Sequence, residues 1–138
     1  MRVIVAVDDH NGMLFHNRRQ SQDRALRERI LSMTQGKRLW MNAYTRQQFK
    51  NISDLQLYES EDFLDRAEKE DYCFVETQSI ISYQDKIEEL VLCKWNRKYP
   101  GDFFFDIDLT DGEWTLVKTE EFPGFSHDKI TVEVYRRE

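Results

Sequence analysis

Two spacings of apolar side chains organise the sequence. Residues 2–7, RVIVAV, are apolar almost without interruption, the pattern of a strand buried on both faces of a sheet. Asp8-Asp9-His10-Asn11-Gly12 follows and predicts a turn. The period then lengthens: Leu26, Ile30 and Met33 recur at helical spacing over 23–33, with Ser21 or Asp23 as N-cap and Gly36 as the stop. Beyond it the pattern predicts a short strand at 38–41 (RLWM) and a helix at 43–49. A strand at 55–59 (LQLYE), a helix at 60–70 capped by Ser60 and a strand at 72–77 (YCFVET) come next. A short helix at 79–84 leads to a long strand at 88–98. Residues 114–119 and 130–136 alternate apolar with polar, as a terminal antiparallel pair should, with Pro123-Gly124 turning between them. Strands alternating with helices, then two strands in succession, predict an α/β sheet with a mixed edge.

Composition narrows this picture. With 138 residues, 40% of them apolar and 13% aromatic, the chain suits one folded domain, 1–138, rather than a disordered segment. Cys73 and Cys93 are too few for a disulfide framework or a zinc cage and are expected to be buried in strands. No apolar run approaches a membrane span and no leader-like start is present, so a cytoplasmic protein without membrane contact is expected. His10, His16 and His127 lack metal-ligand spacing and read as surface histidines, and no metal is expected. Asp106, Asp108 and Asp111 read as a polar turn. No glycine-rich phosphate loop, serine-centred elbow or Cys–His pair appears.

Charge changes the picture once more. Residues 16–50 hold nine cations against two anions, a balance of +7, while the rest of the chain carries −13. Such a basic segment on an acidic protein is either an anion site or a solvated helix face. Nucleic acid is the weakest candidate partner, because aromatic residues do not interleave with the basic ones.

The order of elements resembles dihydrofolate reductase, and residues at both ends carry the likeness. VIVAVDDHNG is similar to that family's first strand and mobile loop, and TQGKRLWMNAYT to the segment with its cofactor-contacting threonine, here Thr45. The stretch from 85 to 138 resembles the last three strands, including the Gly101-Asp102 bend and the Tyr-Arg-Arg ending. The resemblance implies a three-layer α/β fold: a mixed, mostly parallel central sheet with C-terminal antiparallel strands and flanking helices. It also implies an NADPH site involving Ala6, Thr45 and Thr77, and a ligand pocket at Val5, Leu26, Arg27, Ile30 and Cys93.

At that site the residues depart from the family's pattern. The Pro-Trp of the loop is replaced by Ser21-Gln22. The carboxylate that the family places in its first helix falls on Leu26 or Arg27. Leucine would leave a donor-rich substrate edge unpaired, at roughly 1–3 kcal/mol per group, and arginine would repel it. Glu76 and Thr77 stand in place of the Gly-Gly pair that meets cofactor phosphate, which adds bulk and negative charge. Residues 50–54 leave too little room for the family's third strand. The expectation is a divergent domain that has lost folate reduction, needs no cofactor and binds a small anionic ligand or a protein partner. The alternative is an NADPH-dependent reductase with a changed substrate.

Overall fold

A computed structural model of the chain describes residues 1–52 and 55–137. Its strands are β1 (Arg2–Val7), β2 (Gly12–Phe15), β3 (Arg18–Arg19), β4 (Leu39–Met41), β5 (Leu57–Glu59) and β6 (Tyr72–Phe74), followed by β7 (Glu89–Lys94), β8 (Phe103–Phe104), β9 (Trp114–Phe122) and β10 (Ile130–Arg137). The helices are α1 (Arg24–Met33), α2 (Ala43–Arg46) and α3 (Phe63–Arg66), with 3₁₀ turns at Gln47–Phe49 and Ile81–Lys86.

Seven strands form one sheet in the order β5-β4-β6-β1-β7-β10-β9. The first five are mutually parallel; β10 runs antiparallel to β7, and β9 antiparallel to β10. This is the mixed, mostly parallel α/β sheet that the sequence predicts. Alternation along β1 sends Val3, Val5 and Val7 to one face and Ile4 to the other. The first face is covered by Phe63, Leu64, Ile80, Ile87 and Phe105. The second is covered by α1, through Leu26 and Ile30, and by Phe49. Burying Leu26 and Ile30 contributes roughly 1.5–3 kcal/mol each.

Asp23, not Ser21, caps α1: its extended backbone (φ −153°, ψ 131°) lets the carboxylate accept from Ala25 N. At the other end Thr34 closes the last turn by donating N–H and Oγ1–H to Ile30 O, and Gly36 supplies the left-handed residue (φ 81°).

A second, three-stranded sheet, β3-β2-β8, is absent from the sequence expectations. Its hairpin turns on His16 and Asn17, both left-handed (φ 50° and 63°), the backbone of a two-residue type I′ turn. The helix expected at 60–70 is only the four residues of α3. Asp71 accepts from Glu68 N (2.9 Å) and from Trp40 Nε1 (3.0 Å), and this local bond competes with further helix. The helix expected at 43–49 is one α turn followed by a 3₁₀ turn. Lys50 and Asn51 continue as a turn, and Ser53 and Asp54, part of the stretch expected to be too short for a strand, lie outside the described residues. Among the described residues no cluster could hold a metal ion, and no helix is long and apolar enough to cross a membrane.

Candidate functional site

The C-terminal ends of β1, β4, β6 and β7 face the loop that joins β1 to α1. That loop is tied down at Asp8, whose carboxylate accepts from Gly12 N (2.7 Å), His10 N (2.9 Å) and Tyr99 N (3.0 Å). Burial acts to raise the Asp8 pKa, and these backbone donors outweigh it, holding the carboxyl below its usual range. Gln20 lies over the same carboxylate and donates to Pro100 O at 3.0 Å. Its amide fits only because Gly12 and Gly101 lack a Cβ: one built there would stand 2.5 and 2.7 Å from Gln20 Nε2.

Behind the loop, Ala6, Leu26, Arg27 and Ile30 come together, with Cys93 paired to Ala6 across the β1–β7 ladder. Val5 points to the opposite face of the sheet, since successive strand residues alternate. The space these residues enclose with Phe74 and Trp95 is only about 10 Å³. Glu76, just past the end of β6, also lines it, and Arg19 reaches back from β3 to that carboxylate. Nε and Nη2 donate to the two carboxylate oxygens at 2.9 and 3.0 Å. Gln48 adds a third hydrogen bond to Glu76 (2.8 Å), and Tyr44 places its ring under the guanidinium, 4.3 Å away. Glu76 thus fills the cleft together with a partner that the sequence reading did not assign to it.

Thr45 and Thr77 are joined through Asn42, whose side chain accepts from Thr45 N (3.0 Å) and donates to Thr77 Oγ1 (2.9 Å). Thr45 is fully enclosed, and its hydroxyl has no hydrogen-bond partner among the described residues. Neither thiol is a nucleophile here: burial pushes Cys73 and Cys93 up to about 12.

Outside the filled cleft, a groove of about 550 Å³ runs between α1 and the 47–52 turn, with Arg24, Arg27 and Lys50 along it and Arg19 at its inner end. Glu28 offsets one of these charges through Arg24 (3.4 Å), and Gln22 lightly holds Arg27 (3.4 Å). Arg18, the other loop arginine, is exposed on β3 and does not line the groove. A larger hollow, about 810 Å³, lies at the N-terminal ends of β4, β5 and β6; its Arg38 is already held by Asp71 and Glu68.

One further cluster was not foreseen. His127, read from sequence as a surface histidine, is buried; its Nδ1 lies 2.8 Å from Asp23 Oδ2 and its ring stacks on Trp95. On the far side, Nε2 lies 2.9 Å from Ser21 Oγ and 3.1 Å from Tyr99 Oη. The hydrogen bonds that Asp23 accepts from His127, Phe125, Ser126 and Ala25 overcome the opposing effect of burial and hold its carboxyl far below the ordinary range. Ser21 and Asp23 are two apart in sequence, but His127 is more than 100 residues away, a pairing no local motif signals.

No family model and no curated protein matches the sequence. Among solved structures, one is a dihydrofolate reductase from Enterococcus faecalis complexed with NADP(H) and RAB-propyl. It is similar with a TM-score of 0.69 at 16% identity, covering 99% of this chain and 95% of that one.

Proposed function

Taking the dihydrofolate reductase fold of this chain as the premise, we propose that it no longer reduces folate and instead binds a small anion in the groove between α1 and the 47–52 turn. One observation carries this reading: the cleft behind the loop retains only about 10 Å³ beside the Arg19-paired Glu76, while the basic groove next to it stands open. A ring system cannot enter about 10 Å³, and the first helix presents Leu26 and Arg27 where a carboxylate would have to stand.

Arg27 is the centre of the proposed site. It is half-buried, so its charge is better shielded from water than that of Arg24 or Lys50. Succinate and orthophosphate are suitable probes. Titrated by NMR at low salt, either should perturb the backbone resonances of 24–28 and 47–52. Arg27→Ala should weaken that binding about tenfold, a loss of about 1.4 kcal/mol, with little change in melting temperature. Equal binding by the variant would remove the groove from consideration.

The alternative, an NADPH-dependent reductase, draws on the cofactor in the similar enterococcal structure. It predicts calorimetric binding of NADPH at micromolar concentration, weakened by Thr45→Val. The degenerate reading predicts no heat with NADPH, alone or with dihydrofolate. Micromolar binding would overturn it.

A further inference from the structure

The chain from Asp23 through His127 to Ser21 exceeds what capping α1 requires. A cap needs one carboxylate oxygen, and Asp23 Oδ1 meets it by accepting from Ala25 N. Phe125 N and Ser126 N supply backbone donors to the remaining acceptor sites, so the β9–β10 turn would be held without any imidazole. Yet an imidazole stands between this carboxylate and a serine hydroxyl, at hydrogen-bond distance on both sides.

The protonation pattern follows from the partners. A carboxylate held far below its usual pKa can only accept, so His127 Nδ1 donates to it. Nε2, on the other side of the ring, faces Ser21 Oγ at 2.9 Å and Tyr99 Oη at 3.1 Å. The ring cannot swing away: Trp95 is stacked on it at 4.6 Å with the planes 22° apart, and Gly124 lets the turn close down on it. The carboxylate cannot turn either, because three backbone N–H groups hold its two oxygens. Asp23 and His127 are 0% and 3% exposed at the side chain, whereas Ser21 is only half-buried. A shielded carboxylate, an imidazole fixed beside it and a hydroxyl on a residue that is only half-buried are the three parts that an activated serine needs.

We propose that Ser21, His127 and Asp23 form a nucleophilic triad for acyl transfer, cleaving small esters. Ser21 Oγ attacks the ester carbonyl while its proton passes to His127 Nε2. The tetrahedral adduct collapses, the C–O bond to the alcohol breaks, and His127 returns the proton to the departing oxygen. Water, deprotonated by the same nitrogen, then cleaves the acyl–Ser21 bond, giving a carboxylic acid and free serine. Tyr99 Oη, 3.4 Å from Ser21 Oγ and 3.1 Å from His127 Nε2, is the hydroxyl beside the nucleophile. Asp23 acts through His127 and is a positioning residue. Because the groove with Arg24 and Arg27 is also lined by Gln22, the residue after Ser21 in the chain, an ester with a carboxylate on its acyl part is the preferred substrate. That preference rests on the anion-binding reading above; the nucleophile does not.

The first test is labelling of the full chain with an uncharged alkyl fluorophosphonate, followed by peptide mass mapping. Stoichiometric modification of Ser21 is expected, none in Ser21→Ala, and a rate lowered by at least a hundredfold in His127→Gln. No labelling of the folded wild type, or equal labelling of Ser21→Ala, overturns the proposal. Imidazole ¹⁵N shifts supply a second measurement that does not depend on a variant folding. They should show protonated Nδ1 and bare Nε2 in the wild type, and the reverse tautomer in Asp23→Asn. A wild-type Nε2 that carries the proton cannot accept from Ser21, and that result also sinks the triad. Comparing nitrophenyl acetate with nitrophenyl hemisuccinate separates the two readings. A preference for hemisuccinate that Arg27→Ala abolishes supports both, whereas equal turnover of the two esters retains the triad and removes the groove.

Discussion

Asp23→Ala is expected to lower stability by about 3–5 kcal/mol, the scale for removing one partner from a buried, hydrogen-bonded pair. The carboxylate accepts from Ala25 N, Phe125 N, Ser126 N, Ser126 Oγ and His127 Nδ1, and it has no exposed surface. Alanine would leave those donors facing an apolar methyl group, with no route for water. It would also free the β9–β10 turn from the start of α1, so the loss reaches both layers on that side of the sheet.

The same carboxylate sets a pH dependence. Burial alone would raise its pKa, and the hydrogen bonds it accepts more than reverse this, so the folded value lies below the unfolded one. A depressed carboxylate contributes stability that is fully present above the unfolded pKa, about 3.9, and is lost as pH falls from there toward the folded value. Urea midpoints of the wild type should therefore hold near neutrality and drop below about pH 4, with a shallower drop in Asp23→Ala. Matching midpoints for the two proteins at pH 7 would show that the carboxylate is dispensable.

Glu76→Ala should cost about 2–3 kcal/mol, less than a fully buried pair because Arg19 keeps some solvent contact. The side chains are 19% and 7% exposed, and the variant would strand a guanidinium between Tyr44 and an emptied cleft. Arg19→Met with Glu76→Met should recover most of that loss, since a buried ion pair is often replaceable by apolar groups of similar volume. A double-mutant cycle by chemical denaturation gives the coupling. Additive single effects would mean that the two side chains do not act together in solution.

The parts of the fold legible in the sequence were those whose side chains repeat with a fixed period. β1 shows as an apolar run, α1 as Leu26 and Ile30 one turn apart, and β9 and β10 as alternation. Features fixed by single hydrogen bonds, local or long-range, were not legible. Phe63, Leu64 and Ala67 have helical spacing, yet the helix stops because Asp71 captures Glu68 N. The partner of Glu76 lay 57 residues upstream, although a lone glutamate after the apolar run YCFV implied that some cation must meet it. His127 looked like a surface residue because its partners are brought to it only when the β9–β10 turn packs against α1.

The central place of β1 also bears on how the molecule assembles. Its two neighbours pair Arg2 with Tyr72 on one side and with Glu89 on the other. During synthesis at about 5–20 residues per second, β1 therefore waits roughly 5–15 s before β7 exists to cover its second edge. Over that interval the run Val3 to Val7 keeps at least one sticky, unpaired edge in a nascent chain. In refolding from denaturant the same separation makes closure of the β6-β1-β7 ladder the slow event, on a millisecond-to-second scale, after α1 has formed. Yield on overexpression should then depend more on how quickly this ladder closes than on the final stability of the sheet.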